Sequence, residues 1–148
     1  MKFALHRVNL IDDLQDICAQ MQPEKWGKDN EMSSFNPEGL RKFLENNGVL
    51  LLAYEGEKIV GDAMCYVMYH PSGEDHFYIH ELDTHPDHRR QGIGEALIRE
   101  ALSIAKEMGM YEAWVGTEHD NEPAKALYQK LGPYEVDNGP TYSYKTEK

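Results

Sequence analysis

Residues 76–94 read HFYIHELDTHPDHRRQGIG, and they run a strand into a glycine-containing helix entrance. HFYIHELDT, His76 to Thr84, is rich in aromatic and β-branched residues and stops before Pro86, which predicts a strand. From Gly92 the apolar positions Ile93, Ala96, Leu97, Ala101, Leu102, Ile104 and Ala105 recur at helical spacing to about Met108, and Gly109 ends the run. Arg89 to Gly94 admit three readings. The plainest is a helix start whose glycines permit a tight turn and whose arginines lie in solvent. A dinucleotide loop fits poorly, because Leu97 stands where the third glycine of G-x-G-x-x-G belongs, and a Walker A loop would need Gly-Lys-Ser/Thr. The third reading starts from the unpaired N–H groups at the positive end of a helix dipole. Gly92 and Gly94 would let a ligand approach them, and Arg89 and Arg90 would add charge, which suits the pyrophosphate of a held cofactor such as coenzyme A.

Working outward, Leu14, Ile17, Cys18 and Met21 mark a first helix after Asp12-Asp13, ended by Pro23. Asn36 and Pro37 open a second, Glu38 to Glu45, closed by Gly48. VLLLAYE from Val49 and IVGDAMCYVMY from Ile59 form a hairpin around Gly56, and HPSGED turns into the His76 strand. YEAWVGT, Tyr111 to Thr117, predicts another strand, Glu122 to Leu131 another helix, and Tyr134–Val136 and Thr141–Lys145 two short strands around DNGP. The predicted order is ααβββαβαββ, an α/β chain with a mixed sheet flanked by helices. Met64, Met68, Met108 and Met110 are expected in the core.

The length of 148 residues predicts a single domain over 1–148. A net charge of −11 disfavours nucleic acid as a partner and favours cations and polyamines. No apolar run is long enough to span a membrane and Met1 to Leu10 lacks the order of a signal peptide, so the reading is a cytoplasmic chain without a membrane partner. Cys18 and Cys65 lack C-x-x-C spacing and read as small buried hydrophobes.

Leu82-Asp83-Thr84, Pro86, Arg89-Arg90-Gln91-Gly92-Ile93-Gly94 and Asn121-Glu122-Pro123-Ala124-Lys125-Ala126-Leu127-Tyr128, in this order and spacing over about Ile79 to Gly132, resemble the GNAT superfamily of acetyl-CoA-dependent N-acetyltransferases. Within it, YIHELDTHPDHRRQGIG and EPAKALYQKLG look most similar to the type I aminoglycoside 3-N-acetyltransferases. The resemblance implies the GNAT-like acyl-CoA N-acyltransferase fold, acetyl-CoA as the acetyl donor, and direct transfer to a primary amine. It implies that the backbone of Leu82, Asp83 and Thr84 runs beside the pantetheine arm, while Arg89, Arg90, Gln91, Gly92, Ile93 and Gly94 hold the pyrophosphate. Asn121 would bond the pantetheine region and Tyr128 would protonate the departing thiolate. Pro133 before Tyr134 departs from the family pattern, where an aromatic residue usually follows Lys130-Leu131-Gly132, and it shifts the start of the next strand.

An alkyl amine is mostly protonated at neutral pH, with a pKa of about 10.4, so a base must take a proton before attack. Glu81 and Asp83 lie on one strand face by alternation, and in the aminoglycoside enzymes an acid (there Asp) occupies the place of Glu81, so Glu81 is the expected base. Bland readings stand beside these: Glu81 as a solvated strand residue, Asn121 or Asp120 as a helix cap, Tyr128 as a core aromatic. His85/His88 and His76/His80 have spacings a metal could use but lack an acidic or cysteine partner, so no metal is expected and surface histidines are the default. Glu24, Asp29, Glu31, Glu81, Asp83, Glu118 and Asp120 suit a small cationic amine, aminoglycoside- or polyamine-like. Two other functions remain: acetylation of a peptide or protein amine through a groove bounded by the Trp26–Phe35 loop, or acyl-CoA sensing without catalysis. A homodimer through the C-terminal strands is a further possibility.

Overall fold

Short polar side chains cap the first two helices. In the computed structural model, which describes residues 2–27 and 33–146, Asp13 caps α1 (Leu14–Gln20) by accepting from the Asp16 N–H at 3.0 Å. Asn36 caps α2 (Pro37–Glu45) by accepting from the Gly39 N–H at 2.8 Å, with Pro37 at the first helical position. The chain forms two units, Met1–Gly116 and Thr117–Lys148.

The first unit holds a five-stranded sheet in the order β1-β2-β3-β4-β5, with β1 Ala4–Arg7, β2 Gly48–Glu55, β3 Lys58–Met68, β4 His76–Thr84 and β5 Glu112–Val115. All pairings are antiparallel except β4 with β5, so the sheet is mixed as predicted. Strand β1 was not expected from the sequence. It is short and pairs only with β2 at the sheet edge, where no alternating run is needed to cover a face. Gly48 does not close α2: Asn47 takes the left-handed conformation at φ 71°, and Gly48 begins β2. A Cβ on Gly48 would collide with the Phe43 carbonyl oxygen, so the glycine serves close packing rather than the helix stop.

One sheet face carries Leu50, Leu52 and Ile59 against α1 and α2, with Leu14, Ile17, Cys18, Met21, Trp26 and Leu40 completing the cluster. The other carries α3 (Ile93–Glu107), whose Ile93, Leu97, Ile98, Ala101, Ile104 and Ala105 are buried. Gly61 on β3 lets α3 approach closely, since a Cβ there would meet Ile93 Cγ2 at 2.6 Å. Of the methionines expected in the core, Met64 packs against the α1/α2 cluster, whereas Met68 and Met108 are exposed at 45% and 39% and Met110 is half-buried. Met68 and Met108 end their elements, where the apolar face runs out.

In the second unit α4 (Glu122–Lys130) is capped by Asn121, which accepts from the Ala124 N–H at 3.2 Å. The two tail strands are not formed among described residues 133–146. Tyr134, Val136, Tyr142 and Tyr144 are 62–84% exposed, so their alternation has no buried face to serve.

Candidate active site

The β4–β5 ladder ends early. Parallel pairing joins His76–Ile79 to Glu112–Val115 and goes no further, so β4 from His80 to Thr84 is laddered on its β3 side alone among the described residues. That stretch contains Leu82, Asp83 and Thr84, and its open edge is what an extended amide-bearing arm can pair with. The chain then turns through a 3-10 turn, Pro86–His88, to the start of α3. Gly92 is the N-cap of α3 at φ 80° and supplies no side-chain cap, which leaves the first-turn N–H groups to a ligand. Arg90 also takes a left-handed conformation, φ 62°, which is uncommon outside glycine. Arg89, Arg90 and Gln91 are exposed beside this helix end. The donor set fits a pyrophosphate followed by an amide chain, the parts that coenzyme A presents.

The β3–β4 register slips by one residue: Met64 faces Glu81 but Cys65 faces Ile79, leaving His80 as the extra residue of a β-bulge. Phe77 and Ile79 are buried opposite Val67 and Cys65, while Glu81 and Asp83 lie opposite Met64 and Asp62, on the α1/α2 side. Glu81 and Asp83 therefore share a face, as alternation predicts, but it is not the face of Phe77 and Ile79. His80 and Glu81, adjacent in sequence, both line one cleft of about 280 Å³ with Phe35, Leu40, Phe43 and Tyr66. His80 Nδ1 lies 3.0 Å from the Tyr78 hydroxyl and its Nε2 lies 3.7 Å from Glu81 Oε2. Ring contacts continue from Phe43 to Tyr66 (5.2 Å), Tyr66 to His80 (5.7 Å), His80 to Tyr78 (5.3 Å) and Tyr78 to Trp114 (4.1 Å).

His85 and His88 are buried, against the expectation of surface histidines, because the turn after β4 packs the His85 ring on Trp26 at 5.4 Å and the His88 ring on His85 at 5.5 Å. His85 Nδ1 accepts from the Asp87 N–H at 3.2 Å and its Nε2 lies 3.1 Å from the Lys25 carbonyl. The bond to the carbonyl requires the proton on Nε2, so this ring is neutral. Burial and the Lys58 charge lower its pKa. Trp26 is a core residue whose indole N–H donates to the Gln20 carbonyl at 3.2 Å; of the Trp26–Phe35 loop expected to bound a groove, residues 28–32 lie outside the described residues and Phe35 lines the cleft. Both cysteines are buried as expected, and burial pushes the Cys65 thiol up to about 12, too high for a nucleophile at neutral pH.

Glu24 is exposed in the turn after α1, and Asp29 and Glu31 lie outside the described residues. Glu118, Asp120, Asn121 and Tyr128 belong to the second unit. There Glu118 and Asp120 are exposed and Tyr128 is half-buried. The side-chain oxygen of Asn121 is committed to the α4 cap, the bland reading of that residue. Sequence reasoning gave His80, Tyr78, Tyr66 and Phe43 no part in a cleft. The one signal for them was the density of rings in HFYIH, and without the bulge it could not be assigned to a face.

The acetyltransferase (GNAT) family profile matches residues 11–132. An uncharacterized N-acetyltransferase of Bacillus subtilis is 32% identical over 102 residues, which cover 68% of each chain. Among solved structures, an aminoglycoside acetyltransferase from an uncultured soil metagenomic sample, in complex with trehalose, superposes with a TM-score of 0.84 at 24% identity, covering 99% of this chain and 97% of that one. At that identity it shows the fold. A second aminoglycoside acetyltransferase of similar origin gives a TM-score of 0.80 at 26% identity over 98% of this chain and 100% of that one. The chain spans between 24% and 54% of the length of the first curated relatives it matches.

Proposed function

The chain belongs to the acetyltransferase (GNAT) family, and from that premise we propose that it moves an acetyl group from acetyl-CoA directly to a primary amine of a small cationic molecule, aminoglycoside- or polyamine-like. The observation that carries this reading is the half-paired stretch of β4, which leads on one side to the open N-terminus of α3 and on the other to a cleft holding Glu81. Acetyl-CoA supplies the acetyl thioester. Arg89, Arg90 and the amides of Gln91 to Gly94 would hold its pyrophosphate, and the backbone of Leu82 to Thr84 would pair with its amide arm. Asn121 would contribute its amide donor to the same arm.

Glu81 would take the acceptor's surplus proton, directly or through a water. The cleft of about 280 Å³ has room for the reacting amine and part of the ring or chain that bears it. Tyr128 would return a proton to the thiolate, a modest aid because a thiol with a pKa of about 8.5 is already a fair leaving group. The buried Cys18 and the suppressed Cys65 thiol favour direct transfer over a covalent enzyme intermediate. The family match runs across both units, which supports residues 1–148 working as one N-acetyltransferase domain.

The test is a screen of amines by release of free CoA. Turnover is expected with aminoglycosides or polyamines, and its absence with all of them refutes the substrate class. Activity on peptides alone would point to protein amine acetylation, and tight acetyl-CoA binding with no acetyl loss would point to a sensor.

A further inference from the structure

We propose that His80 is a proton-relay residue of the acceptor site, taking from Glu81 the proton that Glu81 takes from the amine. The inference rests on the acetyl transfer proposed above. Its ground is the β-bulge, which turns two consecutive side chains into one cleft where an unbroken strand would send them to opposite faces. The His80 ring is 44% exposed but has neighbours on both sides. It packs against Tyr66 and Tyr78, and the Tyr78 hydroxyl, at 3.0 Å, holds Nδ1. Nε2 then points at the Glu81 carboxylate, 3.7 Å away.

With Nδ1–H donating to the tyrosine oxygen, Nε2 carries a lone pair. The relay is balanced: the ammonium nitrogen gives its proton to Glu81, and the carboxyl gives that proton to Nε2 once side-chain rotation closes the 3.7 Å gap to hydrogen-bond distance. The resulting imidazolium releases a proton to solvent through its exposed edge. The second transfer restores the carboxylate for the next amine. Tyr66, Tyr78 and Glu81 are the titratable groups around the ring, and Glu81 is the only carboxylate among those lining the cleft.

The experiment compares the unmodified chain with His80→Gln and His80→Ala, using spermidine, kanamycin and phenethylamine as acceptors and free CoA as readout. With each amine the unmodified chain acetylates, His80→Gln should lower kcat on the order of 100-fold and move KM by less than about threefold. Added imidazole should restore His80→Ala at least about tenfold and leave the unmodified chain unchanged. Tyr78→Phe, which removes the oxygen that orients Nδ1, should fall between, at about tenfold. The relay is overturned if kcat in His80→Gln stays within about threefold, if the loss appears in KM instead, or if imidazole rescues nothing. Inactivity of the unmodified chain with every amine overturns the proposed transfer to small cationic amines, and the relay with it. Activity that survives in His80→Gln overturns the relay alone.

Discussion

Gly61→Ala perturbs the one place where β3 and α3 meet without a side chain between them. The added methyl would stand 2.6 Å from Ile93 Cγ2, 3.1 Å from Leu97 Cδ1 and 3.2 Å from the Asp83 carbonyl oxygen. Ordinary contact begins near 3.4 Å, so the Ile93 Cγ2 methyl must retreat by about 0.8 Å. Leu97 can yield by rotating, but the Asp83 carbonyl is strand backbone and cannot move without disturbing the β3–β4 ladder. Overpacking of this kind costs about 1–3 kcal/mol, which for a chain of this size lowers Tm by roughly 3–9 °C. Ile93 is also the first residue of α3, so its retreat carries the proposed pyrophosphate seat with it and should weaken coenzyme A binding severalfold. Thermal melts and calorimetric titration of CoA measure the two effects. The double-mutant cycle with Ile93→Ala isolates the cause. Ile93→Ala alone opens a cavity costing about 2–5 kcal/mol, and the methyl at position 61 fills part of it. The double variant should be more stable than the sum of the singles predicts by at least about 1 kcal/mol. Additive effects, or a Gly61→Ala melt unchanged within about 1 °C, would refute the close-packing argument.

Arg90→Gly should move stability and binding in opposite directions. Relieving the left-handed conformation at φ 62° raises Tm by an amount corresponding to about 1 kcal/mol, while losing the charge weakens CoA binding severalfold; melts and titration on one sample read both. His85 resists protonation in the fold, whereas the unfolded ring takes up a proton below about 6.5, so its contribution is complete above that pH and is lost as pH falls through the lower folded value. Tm should therefore decline from pH 7.5 to 5, and His85→Gln should flatten that slope. Tyr128→Phe should lower kcat about tenfold or more and leave the KM for acetyl-CoA within about threefold, as steady-state CoA release would show.

The helices and central strands were legible because local chemistry decides them. Asp13 and Asn36 are caps by residue type, Pro37 fits a first helical position, and the apolar spacing from Ile93 to Ala105 has one solution. The start of the third helix was legible for the same reason, since Gly92 takes up its N-cap conformation within its own segment. Features set by distant partners were less so. Gly48 looked like a helix stop because sequence cannot show the Phe43 carbonyl that excludes its Cβ. His85 looked like a surface residue because it packs on Trp26, far away in the chain, and His88 because it packs on His85 in turn.

The acceptor side shows why spacing alone could not complete the site. Alternation along HFYIHELDT predicts two faces, and on that pattern Glu81 belongs with Phe77 and Ile79 in the α3 core. A carboxylate there would be buried without a partner, at a cost of several kcal/mol. The bulge at His80 removes that cost by turning Glu81 and Asp83 to the other face, and it does so where β5 leaves β4 and the ladder is already open on one side. A conflict between the strand period and the polarity of Glu81 is thus the only trace of the bulge in the sequence. Read as a conflict, it locates the slip between Ile79 and Glu81. The same one-residue slip that spares the core a charge is what brings a histidine and a carboxylate together in the cleft.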